Sequence, residues 1–392
     1  MLKINDNHLT SPRIIVRLLE NRKINEKVRL MEYKVRPGVQ SYFNETGLLE
    51  KLDQFLLDLG LERVLCVIDP GGFYSVESYL PKRFEAVEAT FTEFNGECSF
   101  EEGDRLTELA KEHNVDAIVG IGGGKTMDVI KLVANKIDID FVQIPTIAAT
   151  CAAWAPLSVV YTEDGEYIDF YEFTRCARAV IVDPRVLIKA DAKFFLAGLT
   201  DTLAKWYEGS IQLESMERTP NLELGYQAMK ICYDFIMKDA KEALEAIYTQ
   251  RINQSFVNLL DVIFATAGSV GGYADYYGRQ AGAHAVHNGL THLPEVKEFL
   301  HGTLVGYGIL VQLALEEKWA DVDEVLALYN DLDLPCRLAD FNLSIDHPDL
   351  NKAIEVMCLD HSPMHFVRDN ITHEEVFNAM KQLEDYLEQK AK

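Results

Sequence analysis

Basic residues are scarce in this chain: 38 Lys and Arg face 62 Asp and Glu across 392 residues, a formal charge of −24. A surface of that sign repels phosphate backbones and anionic lipid, so nucleic acid and membrane are excluded as partners. An anionic small molecule must instead be met by a local group of donors. No stretch reaches the about 18 apolar residues that a membrane-spanning helix needs. The opening residues, Met1-Leu2-Lys3-Ile4-Asn5-Asp6, have no apolar core of a secretion signal. Cysteine is sparse too. The seven thiols (66, 98, 151, 176, 232, 336 and 358) are odd in number and scattered, with no C-x-x-C pair. That excludes a disulfide framework and a thiolate metal site, and it fits a reducing, cytoplasmic setting.

What is present is the composition of a globular protein, 48% hydrophobic, at a length that favours two domains. Residues 1–35 read as a charged N-terminal extension with a helix around 12–22. Residues 36–185 alternate strand and helix signals: a helix from Leu48 to Leu59, strands at 63–69 and from Phe84 to Phe91, a helix ending at Thr107–His113, a strand at Val115–Val119, a helix at Thr126–Ala134 and a strand at 141–145. Such alternation predicts βαβ units and a parallel sheet. From 186 to 392 helical periodicity takes over, at 199–213, 222–246, 252–273, 299–315, 322–329 and 374–390. The fold class is therefore α/β followed by an all-α half, with a ligand cleft expected between them.

The most telling stretch is Gly120-Ile121-Gly122-Gly123-Gly124-Lys125-Thr126-Met127-Asp128. It joins a buried strand to a helix through glycines that allow close backbone approach. Open N–H groups and the helix dipole there make an anion site suited to a diphosphate cofactor. The pattern is neither G-x-G-x-x-G nor a Walker A loop. Asp69, ending the strand at 63–69, is placed to accept hydrogen bonds from ribose hydroxyls and to repel a 2′-phosphate, favouring NAD over NADP; it equally reads as a turn former before Pro70-Gly71-Gly72. In the helical half, Asp201, His284 and His301 are candidate ligands of one divalent metal. Two imidazoles and one carboxylate leave an open position, as a catalytic zinc requires, and the ion would act as a Lewis acid. His284 and His287 stand at i, i+3, so either could be the ligand, and Asp201 could instead cap its helix.

These words, together with Phe94-Asn95-Gly96-Glu97-Cys98-Ser99, Ile144-Pro145-Thr146-Ile147-Ala148-Ala149-Thr150, Leu157-Ser158-Val159-Val160-Tyr161 and Ala283-His284-Ala285-Val286-His287-Asn288-Gly289, resemble the glycerol dehydrogenase-like group of metal-dependent alcohol dehydrogenases across residues 36 to 385. The resemblance implies a Rossmann-like N-terminal domain, a helical metal-binding domain, NAD(H) in the cleft, zinc or iron as the metal, and a homo-oligomer. It assigns Asp69 to the adenosine ribose. Gly123, Gly124, Lys125 and Asp128 go to the diphosphate and nearby ribose, and Thr146, Leu157 and Tyr161 to the nicotinamide side. Asp201, His284 and His301 become the metal ligands, with His287 near the reacting centre as a proton relay. Departures redirect the substrate. Glycerol-specific members carry Ala-Ser-Thr-Asp-Ala-Pro-Thr-Ser where this chain has Ala148-Ala149-Thr150-Cys151-Ala152-Ala153-Trp154-Ala155. Cys151 replaces a diol-binding aspartate, and Ala149 and Ala155 replace cofactor-contacting serines. With Trp154, Lys205 and Arg279, the pattern resembles the hydroxycarboxylate dehydrogenase subgroup. The expected reaction is hydride transfer between NAD(H) and a small 2-hydroxy acid or 2-oxo acid, its carboxylate held by Lys205 or Arg279. Alternatives are a glycerol dehydrogenase and a dehydroquinate synthase-like lyase.

Overall fold

A computed structural model describes residues 33–214 and 216–390. The helix expected at 12–22 lies outside them. The first half runs β1 (Tyr42–Asn44), α1 (Leu52–Asp58), β2 (Arg63–Ile68), α2 (Pro70–Val76), β3 (Glu88–Glu93), α3 (Phe100–Glu112), β4 (Ala117–Gly122), α4 (Gly124–Ile137), β5 (Asp140–Pro145), β6 (Leu157–Tyr161), β7 (Tyr167–Glu172) and β8 (Ala179–Val182). Six strands form one sheet in the order β1-β8-β5-β4-β2-β3, every pair parallel. Its central strands read as continuous apolar runs because both faces are covered; all six residues of β4 are buried. After β3 the chain returns to the other side of β2. The carboxyl ends of β2 and β4 therefore flank a topological switch point, where open α/β sheets bind ligands.

The third strand starts later than its phenylalanines predict. Both Asp53 oxygens accept N–H groups of Glu85 and Ala86, which holds 84–87 off the ladder until Glu88 pairs with Arg63. The antiparallel hairpin β6–β7 and strands β1 and β8 were not foreseen. In β7 almost every residue is exposed, so it shows no apolar alternation.

The second half is helical: α5 (Pro184–Leu187), α6 (Ala192–Glu214), α7 (Pro220–Thr249), α8 (Gln254–Asp261), α9 (Ala267–Ala274), α10 (Gly282–Leu290), α11 (His301–Leu315), α12 (Trp319–Leu332), α13 (Leu350–Met357) and α14 (His373–Lys390). The segment Gln254–Gly278 is apolar and long enough to cross a membrane by length and composition, but 61% of its 18-residue apolar window is buried inside the fold. It is a core helix, and the π-helical turn Val262–Thr266 interrupts it. Helices α6, α10 and α11 pack backbone to backbone. A Cβ on Gly302 would fall 1.9 Å from the Ala197 carbonyl oxygen, and one on Gly308 would fall 2.3 Å from that of Ala283. Only glycine permits that approach, and it brings Asp201, His284 and His301 together.

Candidate active site

Asp201 sits in α6, His284 in the first turn of α10 and His301 at the start of α11. Their ligating atoms all lie within 4.8 Å of one another. His284 Nε2 is 3.5 Å and His301 Nε2 3.3 Å from Asp201 Oδ1. Of the two α10 histidines, His284 faces Asp201, whereas His287 stands behind His301. Glu208, fully buried, stands behind His284. Its Oε2 lies 2.6 Å from His284 Nδ1, and its Oε1 accepts the N–H groups of Ala281 and His284. A carboxylate accepts only, so Nδ1 carries a proton, and Nε2 is the ring nitrogen turned toward Asp201. The same carboxylate sits at the positive end of α10. Burial opposes ionisation of Asp201, but Lys205, His284 and His301 outweigh it and hold the carboxyl well below its usual range. Burial likewise opposes a charged His284; Glu208 and Asp201 overcome it and raise that imidazole to about 9.

His287 lies behind His301. Its Nε2 is 2.9 Å from His301 Nδ1, and its Nδ1 is 2.9 Å from Asn288 Oδ1. Burial and the neighbouring His301 push its pKa well down, so it is neutral. One proton arrangement fits: His301 Nδ1–H donates to His287 Nε2, and His287 Nδ1–H donates to Asn288. His301 Nε2 is then free to ligate.

At the switch point, Gly122 ends β4 and Gly123 precedes α4 with no side chain capping it. The first-turn N–H groups of α4 are thus open to an anion. A Cβ on Gly122 would meet Thr126 Oγ1 at 2.4 Å and Asp69 Cβ at 2.7 Å. The hydroxyls of Thr126 and Thr146 are buried without hydrogen-bond partners, which marks the crevice as built for a polar ligand. Asp69 Oδ1 accepts the Gly71 N–H at 2.9 Å as the cap of α2, so the turn-former reading holds while Oδ2 stays open. Gly123, Gly124, Ala149, Thr150 and Phe264 line one small cavity; Phe264 comes from the π-helical turn across the cleft. Lys125 pairs with Glu97 and lies 5.4 Å from the Tyr161 ring centre.

Several candidates sit elsewhere than expected. Asp128 turns inward, its oxygens taken by Lys131 at 2.8 Å and the Val159 N–H at 3.1 Å, so it does not face the glycine crevice. Trp154 packs against Gly38, Gly268 and the Tyr42 ring, which makes it a seam between the two halves. Arg279 is engaged by Glu172 and by Asp275 at 2.8 Å. Its charge is already met by two carboxylates in this structure. Lys205 differs. It is 7% exposed, its charge is felt by Cys151 and Asp201, and among the described residues no carboxylate lies within ion-pair distance of it. Its burial is opposed by the carboxylates of Asp201 and Glu208, which keep it an ammonium.

A family model described as iron-containing alcohol dehydrogenase matches residues 40–184. Hydroxycarboxylate dehydrogenase A of Escherichia coli K12 is 35% identical over 90% of this chain and 98% of its own. The chain belongs to the iron-containing alcohol dehydrogenase family. It is an oxidoreductase acting on alcohol groups, which sets the lyase aside. A probable glycerol dehydrogenase from Sinorhizobium meliloti 1021 superposes with a TM-score of 0.81 at 30% identity, covering 91% of this chain and 100% of that one. Sulfoacetaldehyde reductase from Bifidobacterium kashiwanohense, solved with NAD+, shares the fold alone at a TM-score of 0.71 and 15% identity, covering 91% and 99%. In this family member the donor set fits a divalent ion: three convergent ligands, one ring oriented by a buried carboxylate. Sequence reasoning missed Glu208 and Lys131. Glu208 had a signal, since Asp201, Lys205 and Glu208 repeat at i, i+4 and i+7 on a largely buried helix.

Proposed function

We propose that this chain is an NAD(H)- and divalent-metal-dependent dehydrogenase interconverting a small 2-hydroxy acid and its 2-oxo acid. The observation that carries the substrate class is Lys205, a buried ammonium beside Cys151 that among the described residues has no carboxylate within ion-pair distance and feels Asp201 only from farther off. A buried charge is costly unless paired, and a substrate carboxylate would pair it. Cys151, where a diol-binding aspartate would stand, offers a polyol no carboxylate acceptor. The similarity to hydroxycarboxylate dehydrogenase A supports the same reading.

Asp201, His284 and His301 would hold the ion. The donor set suits zinc and is one that ferrous iron also accepts. When bound, the ion supplies Lewis-acid polarisation of the substrate oxygen. The α4 N-terminus, Gly123 and Gly124 would hold the cofactor diphosphate, and the open Asp69 oxygen the adenosine ribose. The Thr146 hydroxyl and the Leu157–Tyr161 strand would flank the nicotinamide. Lys205 orients the substrate by its carboxylate. Neutral His287, between His301 and Asn288, can take a proton at Nε2 and pass it toward solvent. A cytoplasmic homo-oligomer completes the proposal.

The test is NADH oxidation by metal-loaded protein with 2-oxobutyrate, 2-oxoglutarate, oxaloacetate and dihydroxyacetone, before and after chelation. Activity concentrated on oxo acids and lost on chelation supports the proposal. Preference for dihydroxyacetone favours the second reading, glycerol oxidation, which the similarity to a probable glycerol dehydrogenase keeps in play.

A further inference from the structure

We infer that Lys131 is a positioning residue that locks the cofactor helix to the substrate loop. The inference rests on the dehydrogenase reading above.

Lys131 lies in α4 two turns beyond the glycine crevice and is 1% exposed. Its ammonium donates to the carbonyl oxygens of Ala152 at 2.7 Å, Ala155 at 3.0 Å and Leu157, and pairs with Asp128 at 2.8 Å. The clamp is doubled nearby. Ser158 Oγ donates to the Asp128 carbonyl at 2.7 Å, and the Val159 N–H donates to Asp128 Oδ2 at 3.1 Å. The residues so held are those that follow Cys151 and open β6. One charged group thus sets Cys151 on the substrate side and Leu157 on the nicotinamide side relative to the helix that receives the diphosphate.

Stability alone does not account for it. Replacing a buried ion pair by apolar side chains is often neutral or stabilising. An ammonium that converges on three carbonyls of one short loop instead fixes geometry, and hydride transfer is sensitive to about 1 Å of misplacement.

The experiment compares Lys131→Arg and Lys131→Met with wild type. Arginine keeps the charge beside Asp128, but its planar fork cannot converge on the three carbonyls. It stands in if the Met variant fails to fold. We expect turnover to fall about 100-fold from the lost near-attack geometry. The NADH dissociation constant, read by cofactor fluorescence, should move less than about threefold, which separates positioning from cofactor binding. Peptide-resolved alkylation of Cys151 should accelerate about tenfold as the loop opens locally. Turnover per folded molecule within about twofold of wild type, or an unchanged Cys151 alkylation rate, would overturn the inference. If wild type oxidises NADH with none of the oxo acids or dihydroxyacetone, the dehydrogenase reading fails while the alkylation result still decides the role of Lys131.

Discussion

The two sides of the cleft are built on opposite principles. On the sheet side the crevice is mostly backbone: strand ends, glycines and the open N–H groups of α4, with Asp69 and two threonine hydroxyls as its polar side chains. On the helical side everything depends on side chains from three helices, aimed by Glu208 and packed together at Gly302 and Gly308. Backbone donors survive most substitutions, whereas a side-chain constellation fails when one member or its orienting partner goes. The helical side should therefore be the fragile one.

Substitutions that probe this contrast fall in a clear order of size. Asp201→Ala removes the only anionic ligand of the trio. Bound metal, measured by elemental analysis, should be lost, and turnover should fall at least about 10³-fold, in line with the several kcal/mol a Lewis acid supplies. Glu208→Gln keeps the shape but removes the charge that fixes His284. Metal affinity, measured by competition with a chelating dye, should weaken about 10–100-fold. Equal metal affinity would show that Glu208 serves only to cap α10.

Across the cleft the effects are smaller. Asp69→Asn should raise KM for NAD about tenfold and narrow the preference over NADP, since one hydrogen-bonding carboxylate oxygen is lost while the backbone cradle remains. Cofactor selectivity unchanged in that variant would leave Asp69 only its capping of α2.

The smallest effect is on stability with pH. In metal-stripped protein the folded-state pKa of His284 is raised from 6.5 to about 9. The stabilisation from its charged form is therefore complete below the unfolded value and is lost as pH rises through the folded one. Melting temperature should decline by a few degrees between about pH 6.5 and 9, and this slope should flatten in Glu208→Gln. A slope of opposite sign would contradict the His284–Glu208 pairing.

The same contrast explains what could be read from the sequence. The centre of the parallel sheet was legible because β2, β4 and β5 are largely buried apolar runs between helices, and the glycine stretch because its residues are contiguous. The hairpin β6–β7 was not, since β7 lies exposed and carries no alternation. On the helical side, type and spacing brought out Asp201, His284 and His301 but could not separate His284 from His287; in the structure His284 is the one that clusters with Asp201 and His301. Arg279 and Lys205 looked alike as cations near the metal. Only tertiary structure shows Arg279 engaged by Glu172 and Asp275, while among the described residues no carboxylate lies within ion-pair distance of Lys205. Asp128 stood beside the crevice in sequence, yet one helical turn rotates it toward Lys131.

The central claim is that Lys205 reads a substrate carboxylate beside a metal held by Asp201, His284 and His301. The most direct measurement is the ratio of kcat/KM for 2-oxobutyrate to that for dihydroxyacetone, in metal-loaded wild type and in Lys205→Met. The account predicts a ratio well above one in wild type that collapses about 10–100-fold in the variant, the value of one lost charge-assisted hydrogen bond. A ratio that Lys205→Met leaves unchanged would contradict it.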